Sequence, residues 1–113
     1  MSLYLARFGY TPEAWAALIE EPQNREDAIR PMFEKAGCVL HGLWYAFGDD
    51  DGYVLYDAPD QATAASISVA VAASGALRSF STTQLISVDE MVEALRKAPS
   101  LGYRAPTEAH ARA

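Results

Sequence analysis

Residues 38–58 read Cys38-Val39-Leu40-His41-Gly42-Leu43-Trp44-Tyr45-Ala46-Phe47, then Gly48-Asp49-Asp50-Asp51-Gly52, then Tyr53-Val54-Leu55-Tyr56-Asp57-Ala58. The first run carries no formal charge, the second is uncharged from Tyr53 to Tyr56, and the acids gather between them. Asp-Gly between two such runs predicts a β-hairpin, with the glycine supplying the positive φ of a tight turn. Along the first strand one parity is Val39, His41, Leu43, Tyr45 and Phe47, and the other is Leu40, Gly42, Trp44 and Ala46. Neither is hydrophilic. A sheet covered by helices on one face normally shows polar residues on the other, so this strand is expected to be buried on both sides.

Outward from the hairpin the elements follow in order. Leu3 to Tyr10 is rich in strand formers and reads as the first strand. Thr11-Pro12-Glu13 supplies an N-cap, a first-turn proline and an acid, and opens a helix with Trp15, Leu18 and Ile19 on one stripe until Pro22. Asn24 with Asp27 marks a second start, and Ala28, Ile29, Met32, Phe33 and Ala36 continue an apolar face to Gly37. Pro31 is expected to kink or restart that helix. After the hairpin, Ala58-Pro59-Asp60 caps a helix over 61–74 closed by Gly75, and Leu77 to Ile86 reads as the last strand. Ser87-x-x-Glu90 is a capping box opening a short helix with Val88, Val92 and Leu95 on one face, ended by Pro99.

The order β-α-β-β-α-β plus a C-terminal helix is the ferredoxin-like α+β arrangement, an antiparallel sheet with helices on one face. One domain over 1–98 is expected, followed by an extended or flexible tail over 99–113. Burying the second face of the sheet in so short a chain calls for another copy, sheet against sheet, so a homodimer through the open sheet face is expected.

Composition points the same way. Of 113 residues, 21 are Ala and 12 are aromatic, while Leu, Ile, Val and Phe together number 24. A few large rings against many small side chains leave apolar surface that the 21% of charged residues cannot cover. The net charge of -6 gives no basic stripe for phosphates, so nucleic acid is not expected as a partner. The single cysteine, Cys38, excludes an internal disulfide framework and a Cys-rich zinc site. The charge-free stretch 61–77 is shorter than the ~20 residues of a membrane helix. With no signal-peptide pattern at the N-terminus, a cytoplasmic protein with no membrane partner is expected.

At the hairpin and beyond, the chain resembles the GYD-domain family. The resemblance is carried by residues 44–53, then Asp57-Ala58-Pro59-Asp60, then Ser74-Gly75-Ala76-Leu77-Arg78 leading into Ser81-Thr82-Thr83, and it extends over roughly residues 3–95. Asp50 stands where the family typically has a tyrosine before the aspartate of the turn, so no role of that ring is carried over. The resemblance implies a branch of the dimeric α+β barrels, a superfamily of cofactor-free monooxygenases, isomerases, haem-handling enzymes and proteins of no known activity. It supports the dimer and supplies no reaction.

Candidate site residues follow from strand parity. With a turn of two or four residues, His41, Tyr45 and Phe47 share a face with Val54 and Tyr56, and Trp44 and Leu55 share the other. Small residues at 42, 46 and 48 suggest close helix packing, which places Trp44 and Leu55 against the helices and His41, Tyr45 and Tyr56 between the two sheets. That face would line a pocket for a small organic ligand, with Arg78 meeting a carboxylate. His41 and Tyr45 are the candidate catalytic residues of an oxygenase or isomerase acting without a cofactor on an aromatic or enolic substrate. A structural or assembly module is the third reading, marked by a cleft well below ~300 Å3 beside these aromatics. Asp49-Asp50-Asp51 reads as a solvated turn rather than a metal site, because adjacent carboxylates cannot all aim at one centre. No metal or cofactor is expected. The smallness of the Ala/Ser helix over 61–74 is expected to serve tight packing.

Overall fold

Four N-terminal caps set the helices of the chain. Thr11, Asn24, Asp60 and Ser87 each accept a backbone N–H three residues on, and Glu90 returns the bond at Ser87. In the computed structural model, which describes residues 1–107, these caps open α1 (Pro12–Glu20), α2 (Arg25–Lys35), α3 (Gln61–Ala72) and α4 (Val88–Lys97). The strands are β1 (Ser2–Tyr10), β2 (Val39–Tyr45), β3 (Gly52–Ala58) and β4 (Leu77–Leu85), and a 3-10 turn over Ala98–Leu101 follows α4. Residues 108–113 of the expected tail lie outside the described residues. Pro31 neither ends nor restarts α2. Pro31 and Asp27, whose carbonyl loses its helical donor there, are both exposed, so water can take the freed acceptor.

All neighbouring strands pair antiparallel, in the order β2-β3-β1-β4. This is the ferredoxin-like α+β sheet. Tyr4, Ala6, Phe8 and Tyr10 of β1 and Val54, Tyr56 and Ala58 of β3 are buried on one face, against Phe33 of α2 and Ala64 and Ile67 of α3. The opposite face carries Leu3, Leu5, Val39, Trp44, Tyr53 and Leu55, and among the described residues no helix covers it. Val39 and Trp44 are 49% and 53% exposed.

The hairpin differs from the tight turn that Asp-Gly suggests. Tyr45 pairs with Gly52, so the connection is the six residues 46–51. Gly52 opens β3 without a positive φ; among the described residues only Gly37, Gly75 and Gly102 have one. Glycine is needed at 52 for space. A Cβ there would sit 2.4 Å from the Phe8 ring and 2.7 Å from the Trp44 carbonyl oxygen.

Asp51 stitches this loop to the sheet. Its backbone N–H donates to the Phe8 carbonyl and its side-chain Oδ2 accepts from the Tyr10 N–H, both at 2.8 Å, where the β1–β4 register shifts between Gly9 and Tyr10. Arg78 lies 3.5 Å from the same carboxylate and donates to the Asp49 carbonyl at 3.2 Å. Asp51 is therefore an anchor rather than a solvated turn residue.

The faces are the reverse of the parity expectation. Tyr45, Val54 and Tyr56 do share a face, but it is the helix-covered one, and Trp44 and Leu55 lie on the open one. The bulk of β1 decides this, since Tyr4, Phe8 and Tyr10 all fall on the parity that α2 and α3 bury. Gly42 makes room for the Trp44 ring, not for a helix: a Cβ there would be 2.9 Å from it. A bulge separates His41 from Tyr45 and Tyr56, because Leu40 pairs with Tyr56 and Gly42 with Leu55, leaving His41 as the extra residue.

α4 packs chiefly against the turn that follows it, and its apolar residues Val88, Met91, Val92 and Leu95 are exposed. The molecule measures 65 Å along its longest axis against 29 and 23 Å across.

Candidate functional site: a cavity between sheet and helices

α2 packs on β2, and α3 packs on β4 and β3. Between them a cavity of about 320 Å3 opens over the central strands. Its floor is Ala6, Phe8, Tyr10, Val54 and Tyr56; Ile29, Met32 and Phe33 wall it from α2, and Ile67, Ala70 and Val71 from α3. Small side chains create the space. Ala6, Ala28 and Ala70 line it where larger residues would fill it, so part of the small-residue character of α3 provides volume rather than tight packing alone.

The polar groups of the cavity are few. Tyr56 lines it but is 1% exposed, and its hydroxyl, like that of its stacked neighbour Tyr4, is buried away from the cavity space with no hydrogen-bond partner among the described residues. Burial above all, then Cys38 and Tyr4, pushes the Tyr56 phenol up to about 12. The Tyr10 hydroxyl lies 3.3 Å from that of Tyr45, inside a cluster of Phe8, Tyr10, Trp15 and Tyr45 rings. Burial and the bond to Tyr45 raise the Tyr10 pKa, while Arg25 opposes them. Burial, with a smaller contribution from Asp60, also raises the Cys38 thiol. Tyr10 and Tyr56 are thus neutral near pH 7 and are not bases, and Tyr10 serves as a hydrogen-bonding group. Among the described residues Arg25 is the only charged side chain lining the cavity.

A family model described as GYD domain matches residues 4–95. The chain belongs to the GYD domain family. That span holds the whole sheet from Tyr4 onward and nearly all of α4, and the family falls within the dimeric α+β barrels. No curated protein and no solved structure matches the chain. In this GYD domain the aspartate of the turn, Asp51, is the residue that ties the hairpin to β1.

The sequence-predicted residues fall in several places on the GYD domain. Tyr56 lines the cavity. Tyr45 reaches it through the hydroxyl of Tyr10. His41 is on the far side of the sheet, its Nε2 2.6 Å from Asp57 Oδ2. Phe47 is fully exposed in the hairpin loop, and Arg78 is engaged with Asp51 and Asp49. His41 and Tyr45 therefore do not form a proton-transfer pair within one chain. Tyr10 and Arg25 were not singled out from the sequence, although both carry a signal. Tyr10 continues the Tyr4-Ala6-Phe8 alternation, and Arg25 stands four and seven residues before Ile29 and Met32, on the same helical stripe. Among the described residues no group of three His, Cys, Asp or Glu side chains is placed to hold a metal ion, and no helix is long and apolar enough to cross a membrane.

Proposed function

We propose that this GYD domain binds a small, largely apolar organic molecule between its sheet and helices α2 and α3. The observation that carries this reading is an apolar cavity of about 320 Å3 enclosed by the central strands, α2 and α3 and lined by Tyr10 and Arg25 among otherwise mostly apolar side chains. Empty apolar volume forgoes the packing contacts that a bound hydrocarbon body would restore. The volume falls at the lower end of ligand sites, ~300–1,000 Å3, and above what a plain interface reading requires. Mass spectrometry of the protein as purified, under non-denaturing conditions, together with thermal shifts against small aromatic and aliphatic compounds, tests this. Binders should raise the melting temperature of the native chain and leave Ala70→Phe, which fills the cavity, unshifted. Equal shifts in both proteins would refute it.

The working unit is proposed to be a homodimer. Support comes from two uncovered apolar surfaces on one chain: the open sheet face around Leu5, Val39, Trp44 and Leu55, and the exposed stripe of α4. A twofold partner buries both. Sizing at micromolar concentration should give about twice 12.3 kDa.

A further inference from the structure

The carboxylate next in sequence to Arg25 is committed elsewhere. Glu26, next in sequence to Arg25, gives one carboxylate oxygen to Arg30 at 3.0 Å and the other to the Leu43 N–H at 2.8 Å. Arg25 itself forms no ion pair among the described residues. Its Nη1 donates to the neutral amide oxygen of Gln23 at 2.8 Å. In a chain of net charge -6, an arginine facing an apolar cavity without a counter-ion is out of balance with its surroundings. Beside it stands the Tyr10 hydroxyl, buried and turned toward Tyr45, close enough to the guanidinium to feel its charge. Among the described residues no carboxylate lines the cavity.

We infer that the cavity ligand is an amphipathic carboxylate, its head group held by Arg25 and the Tyr10 hydroxyl and its apolar body running over Phe8 and Met32 toward Tyr56. The inference rests on the cavity reading above and names the chemistry of its occupant. A guanidinium presents paired N–H donors that match the two oxygens of a carboxylate. The phenol of Tyr10, kept protonated by burial, adds a third donor. A single cation suits a monoanion; a phosphate monoester would bring a second charge with nothing to meet it. The walls beyond the head group are mostly aliphatic and aromatic, so the remainder of the ligand is largely hydrocarbon.

The test uses matched probes on the full chain: hydrocinnamate and octanoate, each against its isosteric alcohol, by titration calorimetry and thermal shift. Wild type should bind each acid at least tenfold more tightly than its alcohol, as expected when a charge-assisted bond replaces a neutral one. That preference should shrink with added salt. Arg25→Gln should lower the affinity for the acids about tenfold and leave that for the alcohols unchanged, while Arg25→Lys keeps part of the preference. Far-UV circular dichroism of the ligand-free variants checks that they fold. Equal affinity for acid and alcohol, or a preference that survives Arg25→Gln, overturns the carboxylate assignment while leaving the cavity reading standing. Failure of all four probes to bind the native chain overturns both. Binding that persists undiminished in Ala70→Phe places the probes elsewhere and also overturns both.

Discussion

Removing a hydroxyl from a buried tyrosine normally weakens a protein, because the hydroxyl had a partner. Tyr56 is the opposite case. Its ring is packed 4.9 Å from that of Phe33 and 5.5 Å from that of Tyr4, but its hydroxyl has no partner in the ligand-free fold. Burying an unsatisfied hydroxyl costs ~1–3 kcal/mol. Tyr56→Phe keeps the ring contacts and removes that cost, so the ligand-free variant should be more stable by about 1–2 kcal/mol. At roughly 4 °C per kcal/mol for a domain of this size, its melting temperature should rise by about 4–8 °C. Urea denaturation and scanning calorimetry at pH 7 measure both quantities. The alkaline limb gives an independent check. The fold favours the neutral phenol, so the Tyr56 contribution is complete below pH 10.0 and is lost as the pH climbs through about 12. That interval corresponds to roughly 2–3 kcal/mol, and Tyr56→Phe should flatten the fall. A variant less stable than wild type by 1 kcal/mol or more at pH 7 would refute the reasoning, since the hydroxyl would then have a partner in the folded protein.

Asp51→Ala should cost about 2 kcal/mol in urea denaturation, because it leaves the Tyr10 N–H without its acceptor and frees Arg78. Asp49→Ala, which retains the backbone carbonyl that Arg78 uses, should stay within ~0.5 kcal/mol. Gly52→Ala should destabilise by ~1–3 kcal/mol through its clash with the Phe8 ring and the Trp44 carbonyl, measurable by thermal melting. Gly9→Ala should cost less, because the atoms nearest its new Cβ belong to the movable guanidinium of Arg78. Leu55→Glu and Leu95→Glu, on the open sheet face and on α4, should each halve the apparent mass in sizing chromatography with the far-UV spectrum retained; an unchanged mass in both would sink the dimer proposal.

The element order, the four caps and the α+β class were all legible along the chain, because each rests on local chemistry. A Ser, Thr, Asn or Asp oxygen reaches an N–H three residues away whatever the rest of the molecule does. The apolar surplus was legible as well, and it appears as the uncovered face holding Trp44, Val39 and Leu55. Parity also grouped Tyr45 with Tyr56 correctly. Parity has no sign, however. Which face of a two-faced apolar strand meets the helices depends on where the large side chains of β1, α2 and α3 converge, and those residues lie far from the hairpin in sequence.

The same holds for the site. The bulge at His41 has no strong signal in Leu40-His41-Gly42, yet it sends the histidine to the far side of the sheet. Arg25 and Tyr10 become neighbours only when α2 is laid over β2 and β1 runs beneath the gap. Local hydrogen bonding and hydrophobic period thus specify the strands, helices and caps from short stretches of this chain. The cavity and the arginine in its lining come from packing between distant segments, where the volume left by Ala6, Ala28 and Ala70 is a property of the assembled layers and of no one segment.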